Sequence, residues 1–117
     1  MGPLWEATRD LHHEAESHPV AVRMLDGTIT PQEWADWLHA HWTIHLALDP
    51  NLPEHLRRAP SLARDLMDLL PAVPHPSPTA EKYAKNLGDA ASIFGAAYLL
   101  IGAHRRGGQV IERAMWK

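Results

Sequence analysis

The sequence predicts an all-α protein, and three observations favour this class. Apolar residues recur at intervals of three and four in several segments, which is the period of an amphipathic helix. Helix-start signals, of which Thr30-Pro31-Gln32-Glu33 is the clearest, precede such segments. No segment alternates apolar and polar residues as a half-buried strand does, and no hairpin turn is apparent. Because the chain has 117 residues, 45% of them apolar, we expect residues 1–117 to form one domain.

The first helix is predicted over Leu4–Ser17. Its apolar stripe consists of Leu4, Ala7, Leu11 and Ala15. His12 lies at the edge of this stripe, from where its ring can enter a core or a pocket, whereas His13 is turned toward the charged side. Taken alone, both are more simply explained as helix-end residues, which the negative end of the helix dipole favours. A second helix over Pro19–Leu25 is expected to begin with its proline in the first position.

The clearest helix prediction covers Pro31 to about Leu48. Thr30 is the expected N-cap and Glu33 completes a capping box with it. Seven aliphatic or aromatic residues share one face of this helix: Trp34, Trp37, Leu38, His41, Ile44, His45 and Leu48. Asp49-Pro50-Asn51 is expected to end or kink this helix, and a short helical piece over Leu52–Arg58 to follow.

The second half of the chain is predicted to hold two further helices around a proline-rich loop. Ser61 is the expected cap of a helix over Leu62–Leu70. The segment 71–78 contains four of the ten prolines and is therefore expected to be a loop. Ser77 or Thr79 is then expected to start a last long helix that runs to about Arg106.

This last helix carries glycines at intervals of seven, namely Gly88, Gly95 and Gly102, with Ala84 and Ala91 on the same stripe. Glycine inside a helix costs about 1 kcal/mol relative to alanine, so three of them need a reason. Small side chains let another helix or a flat ligand approach the backbone. Two explanations of the stripe are therefore equally good. One is a close contact with another helix, followed by a C-cap, and the other is a bound flat ligand.

The composition excludes several classes of function. The net charge of −3 does not favour a nucleic acid or an anionic membrane as partner. The absence of cysteine excludes disulfides, thiolate metal sites and a cysteine nucleophile. No signal peptide is visible, and the longest apolar run, 93–101, is too short to span a membrane, so we expect a cytoplasmic protein. Nine histidines and five tryptophans suit a flat, metal-bearing ligand, although they also suit core packing.

The histidines of the third predicted helix do not by themselves indicate a metal site. His41 and His45 lie four residues apart and could chelate a metal, but no HExxH motif accompanies them. Core histidines satisfied by hydrogen bonds are the favoured explanation. A carboxylate-bridged di-metal bundle needs two Glu-x-x-His pairs, and only Asp36 with His39 has a comparable spacing. No nucleophile elbow supports serine catalysis.

Two segments at opposite ends of the chain resemble heme oxygenases. LWEATRDLHHEAES is similar to the family's opening helix, in which an E-A-T-x-x-x-H run carries the proximal heme-iron ligand. AYLLIGAHRRGGQVIERA is similar to the distal helix, which kinks over the heme at paired glycines. The resemblance thus implies that His12 binds the iron. His13 is the alternative ligand. It also implies that Tyr98, Gly107 and Gly108 belong to the distal helix.

The resemblance extends to the middle of the chain and implies a heme oxygenase-like helical bundle that binds heme b. WTIHLALDPNL resembles the family's YxxYxALE stretch, with Trp42 and His45 where tyrosines are common. Arg9, one turn before His12, would meet a heme propionate. The further site residues on which this expectation depends are Ala103, His104 and Arg105.

The distal segment also departs from the family pattern. His104 stands where aspartate is typical and Ala103 where glycine is typical, so His104 would act as a proton donor or as a sixth iron ligand. Arg105 and Arg106 would either meet propionates or be solvated. Two functions stay open at this point, heme binding without turnover and oxidative cleavage of heme to biliverdin.

The partners expected from the resemblance are heme and a second copy of the chain. Heme oxygenases continue for several helices beyond the distal motif, so we expect an exposed apolar face that a homodimer covers. The sequence does not identify a redox partner. The alternative is a helical non-heme metal protein or an interaction module that has lost heme.

Overall fold

The computed structural model describes residues 2–103, and α-helices account for most of them. The helices are α1 (Pro3–Glu16), α2 (Pro19–Asp26), α3 (Pro31–Leu48), α4 (Ala59–Asp68), α5 (Pro78–Lys85) and α6 (Ala90–Ala97). Short 3₁₀ turns cover Asp49–Asn51 and Glu54–Leu56, and a π-helical turn, Tyr98–Ala103, follows α6. No strand occurs between residues 2 and 103, so the predicted all-α class is confirmed.

Contacts divide the chain into two compact units, whose described parts are residues 2–29 and residues 30–103. The single domain expected from chain length stays a prediction. None of the described helices is both long enough and apolar enough to cross a membrane.

The first unit consists of α1 and α2, which begin and end close to the predicted residues. A proline opens each helix, where the missing N–H is not needed. Gly27 ends α2 in the left-handed region at φ 79°, which is a common helix stop. Met24 is buried in this unit, but α1 buries none of its residues.

The second unit is organised on α3, whose predicted bounds and cap are confirmed. The backbone N–H of Glu33 donates to Oγ1 of Thr30 at 3.1 Å, and the backbone N–H of Thr30 donates to Oε1 of Glu33 at 3.2 Å. These two bonds satisfy N–H groups that a helix start leaves without partners. The buried residues of α3 are Ala35, Leu38, His45 and Leu48.

The start of α4 differs from the prediction. The helix begins at Ala59 and not after Ser61, because Oδ2 of Asp49 accepts the backbone N–H groups of Arg58 at 3.0 Å and Ala59 at 2.8 Å. Pro60, in the first turn of α4, has no backbone N–H and therefore needs no acceptor. Of the helical piece predicted over Leu52–Arg58, only the short 3₁₀ turn forms.

The single long helix predicted from Ser77 or Thr79 to about Arg106 is wrong. Ser77 caps α5 as expected, but α5 ends at Lys85 and a new helix begins at Ala90. Asp89 starts α6 through a capping box with Ser92, in which the backbone N–H of Ser92 donates to Oδ1 of Asp89 at 2.7 Å. A strong N-cap after glycine, a poor helix former, favours two helices over one.

The break also divides the predicted stripe of small residues. Gly88 lies in the connection between α5 and α6, so it does not share a helix face with Gly95. A Cβ built on Gly88, Gly95 or Gly102 would meet no described atom within 4 Å. The described residues therefore form no close helix–helix contact at these glycines.

The main core cluster of the second unit joins the end of α3 to α6 and the π-helical turn. Its buried residues are Leu48, Leu52, Ala96 and Leu100. Leu87 and Ile101 pack against this cluster as half-buried neighbours, whereas Phe94 on α6 is 74% exposed. The cluster therefore holds the second half of α6 against the end of α3.

The proline-rich loop before α5 is attached to α3 by side-chain hydrogen bonds. Nε2 of Gln32 donates to the carbonyl oxygen of Val73 at 2.8 Å and to Oδ1 of Asp36 at 2.9 Å. The backbone N–H of His75 donates to Oδ1 of Asp36 at 2.7 Å. Asp36 thus holds a loop, which is a structural role different from the metal pairing with His39 considered above.

Candidate functional site

The candidate iron ligand, His12, has one ring nitrogen fixed by a hydrogen bond. Its Nδ1 lies 2.9 Å from the carbonyl oxygen of Thr8, one turn earlier in α1. A carbonyl oxygen can only accept, so Nδ1 carries the proton and Nε2 carries the lone pair. Histidine ligands of metals are typically oriented by such a bond from the other ring nitrogen. The arrangement therefore suits iron binding through Nε2.

The surroundings of His12 leave its ring accessible. The ring packs on one side against the indole of Trp5, with centroids 4.9 Å apart and planes at 51°. His12 and His13 are both exposed. The predicted apolar stripe of α1 is also exposed, at 61% for Leu4 and 65% for Leu11. An apolar ligand can thus reach this face of α1 without displacing described side chains.

Arg9 lies on the same helix as His12 and is exposed. Its guanidinium forms no hydrogen bond or ion pair with any residue from 2 to 103. An exposed arginine can pair with a carboxylate of a ligand, and the fork geometry of its guanidinium suits a propionate. The pairing of Arg9 with a heme propionate stays a prediction.

The segment expected to lie on the distal side of the heme follows α6. It begins with a π-helical turn over Tyr98–Ala103. Such turns are rare and often occur at functional sites, and no signal in the sequence predicted this one. Tyr98 is 59% exposed, Gly102 is exposed, and Ala103 ends the turn. The predictions for His104, Arg105, Gly107 and Gly108 lie outside the described residues.

A cleft of about 260 Å³ lies within the second unit, beside α3, α4 and the π-helical turn. Its lining residues are Trp37, His41, His45, Arg58, Leu62, Leu100 and Ile101. His45, at 3% exposure, is almost fully buried. Its Nδ1 donates to Oδ1 of Asp49 at 2.9 Å, so the lone pair of the ring again resides on Nε2.

The predicted role of the α3 histidines is confirmed for His45, which is a buried residue satisfied by a hydrogen bond. His41 lies against Trp37, with ring centroids 3.9 Å apart, and His39 lies against Trp42 at 5.4 Å. Residues 2–103 contain no group of three or more metal-ligating side chains. A multi-histidine metal centre is therefore not formed by this part of the chain.

Asp49 is the site residue that the sequence interpretation did not single out. It was expected only to end α3, yet its carboxylate orients His45 and accepts two backbone N–H groups. The spacing of four between His45 and Asp49 places both on one helix face and was an available signal.

Comparison with protein families gives one result that covers almost the entire chain. A sequence model of the family described as heme oxygenase matches residues 2–117. Neither a curated protein nor a solved structure shows significant similarity to the chain. The family match includes the His12 helix and the segment after Tyr98, and heme oxygenases are all-α proteins, as this chain is. The chain belongs to the heme oxygenase family.

Proposed function

We propose that the chain binds heme b and that Nε2 of His12 is the iron ligand. The observation that carries this proposal is the bond between Nδ1 of His12 and the carbonyl oxygen of Thr8, which leaves Nε2 with its lone pair. The exposure of the ring and the family match over residues 2–117 support it.

The exposed face of α1 supports an apolar, flat ligand. Leu4 and Leu11 are 61% and 65% exposed, and burying their apolar surface against a porphyrin would stabilise the complex by the hydrophobic effect. Arg9 is proposed to pair with a propionate. The resemblance assigns the opposite side of the heme to the segment from Tyr98 onward, and that assignment stays a prediction.

Two outcomes for a bound heme are proposed, and heme is the substrate in the second. Heme supplies an iron centre at which dioxygen can be reduced, and oxidative opening of the macrocycle yields biliverdin. Family membership favours cleavage. The replacement of the family's aspartate by His104 favours binding without turnover, since His104 would then donate a proton or occupy the sixth coordination position.

The ligand assignment is tested by titrating hemin into the full chain and recording the Soret band. His12→Ala should weaken binding at least tenfold and shift the band, and added imidazole should restore the wild-type spectrum. His13→Ala is the matched control, since it removes an exposed histidine from the same helix. A spectrum lost in His13→Ala and retained in His12→Ala would transfer the role to His13.

Turnover is tested by adding a reductant and oxygen to the heme complex of the wild-type chain. Biliverdin, carbon monoxide and free iron are expected for cleavage, and an intact Soret band for binding alone. His104→Ala tests the role of His104 on the distal side. If His104 is the sixth iron ligand, the variant should change the spin state of the iron in the heme complex, and this change is seen without turnover.

A homodimer is also proposed. Three neighbouring residues on α6 and the following turn expose apolar surface, namely Phe94, Tyr98 and Leu99. A second copy would remove this surface from water. The mass in solution should be that of a dimer for the wild type and that of a monomer for Phe94→Glu, and a monomeric wild type would exclude the proposal.

A further inference from the structure

The cleft beside α3 and α4 is too small to be the heme site. Its volume of about 260 Å³ lies below the range of roughly 300–1,000 Å³ that is typical of pockets for drug-sized ligands, and heme is larger than most of these. All lining residues belong to the second unit, between Trp37 and Ile101. A ligand that fits this cleft would be smaller than heme.

His45 is a buried part of the cleft lining. Its Nδ1 is engaged by Asp49, and its Nε2 forms no hydrogen bond with the described residues. Nε2 is therefore the ring nitrogen of His45 that a ligand in the cleft could contact.

The charges around the cleft favour an anion. Arg58 lines it, and its guanidinium forms no ion pair within residues 2–103. No carboxylate is among the lining residues that lie between positions 2 and 103. Asp49 lies behind His45, and both of its oxygens are occupied by three hydrogen bonds. A guanidinium beside a cleft without acidic groups would repel a metal cation and attract a carboxylate.

Apart from His41, which packs against Trp37, the remaining described wall is apolar and partly flat. Trp37 contributes an indole, and Leu62, Leu100 and Ile101 contribute branched aliphatic side chains. Such a wall removes an apolar body from water, while one or two polar groups at the edge fix its orientation. A ligand with one charged end and a compact apolar end matches both parts of the cleft.

We propose that this cleft binds a small organic monocarboxylate with an aromatic or branched apolar body. The carboxylate pairs with the guanidinium of Arg58. The body packs against Trp37 and Leu62. None of the described lining residues belongs to the helix of the proposed heme ligand His12.

Calorimetric titration of the full chain with benzoate tests the proposal, with benzamide as the neutral ligand of the same shape. Benzoate should bind measurably and benzamide at least about tenfold more weakly, because one charge-assisted hydrogen bond is lost. Arg58→Gln should weaken benzoate binding by a similar factor. The backbone N–H of residue 58 that caps α4 is kept in this variant, so the fold is retained.

Arg64→Gln is the matched control, since it removes the same charge from an exposed position of α4 outside the cleft. Leu62→Phe, which fills the cleft without changing charge, should abolish benzoate binding. The proposal is overturned if benzoate does not bind, or if Arg58→Gln and Leu62→Phe bind it as well as the wild type. A failed hemin titration would leave this result unchanged, and a failed benzoate titration would leave the heme proposal unchanged.

Discussion

Nδ1 of His45 and Oδ1 of Asp49 lie 2.9 Å apart and form a buried hydrogen bond across the last turn of α3. The other carboxylate oxygen of Asp49 accepts the backbone N–H groups of Arg58 and Ala59. One carboxylate therefore satisfies a buried ring and two N–H groups at the start of α4. The burial of this carboxylate is tolerated because both of its oxygens accept hydrogen bonds.

Replacing Asp49 by alanine should strongly destabilise the chain. The change leaves the buried N–H of His45 and two backbone N–H groups without acceptors, so the free energy of unfolding should fall by about 2–4 kcal/mol. Urea denaturation followed by far-UV circular dichroism measures this loss. Asp65→Ala, at an exposed position of α4, is the control and should change stability little. Equal stability of both variants would contradict the role given to Asp49.

Thr30→Ala should remove the cap of α3. The hydroxyl accepts the N–H of Glu33, and its loss should reduce the free energy of unfolding by about 1 kcal/mol. Denaturant unfolding checks this value. Thr79→Ala, an exposed change within the first turn of α5, serves as control. A Thr30→Ser variant should recover most of the loss, because serine keeps the accepting hydroxyl, and failure to recover would argue against capping.

The loop attachment at Asp36 should weaken in acid. Desolvation raises the pKa of the Asp36 carboxyl, but hydrogen bonds from the backbone and ring of His75 and from Gln32 outweigh it and hold this pKa below its ordinary value. Because the folded pKa is lower than the unfolded one, the stabilisation is present at neutral pH and is lost as the pH falls below about 4.

Asp36→Asn should therefore be less stable than the wild type at pH 7, and the difference should shrink as the pH is lowered from 5 to about 3. Urea unfolding at several pH values gives both curves. Asp68→Asn, an exposed change at the end of α4, should follow the wild type throughout. A difference that is constant with pH would show that the charge of Asp36 is not involved.

Gly95→Ala should stabilise α6. A Cβ at this position meets no described atom within 4 Å, and alanine favours a helix over glycine by about 1 kcal/mol. Thermal unfolding of the heme-free chain checks the gain, with Gly88→Ala in the connection before α6 as a control expected to gain less. A destabilised Gly95→Ala would show that another surface, such as a second copy, packs on this glycine.

The features that the sequence predicted correctly are those determined by nearby residues. The capping box of Thr30 and Glu33 spans four residues, and Pro19 and Pro31 each occupy the first position of their helix. The all-α class follows from such local signals repeated along the chain. The assignment of His12 as iron ligand also depends on a motif within one helix, and it stays a prediction. The protonated ring nitrogen of His12 depends on the ring orientation, which no sequence pattern encodes.

The incorrect predictions concern interactions over longer distances or competing signals. The start of α4 depends on Asp49, nine residues before Arg58, so Ser61 appeared to be the nearest cap. The break before α6 was obscured by the regular spacing of Gly88 and Gly95, although Asp89 and Ser92 have the spacing of a capping box. The cleft needs residues from three elements and could not be assembled from spacing alone.

The position of Asp49 also has a consequence for how the second unit opens to solvent. The amide protons of Arg58 and Ala59 are bonded to a carboxylate that stands directly after α3, not to carbonyls of their own helix. They can exchange with deuterium only when that carboxylate releases them. Their exchange rates should therefore follow those of the last turn of α3, which makes the two helix ends a single cooperative opening unit.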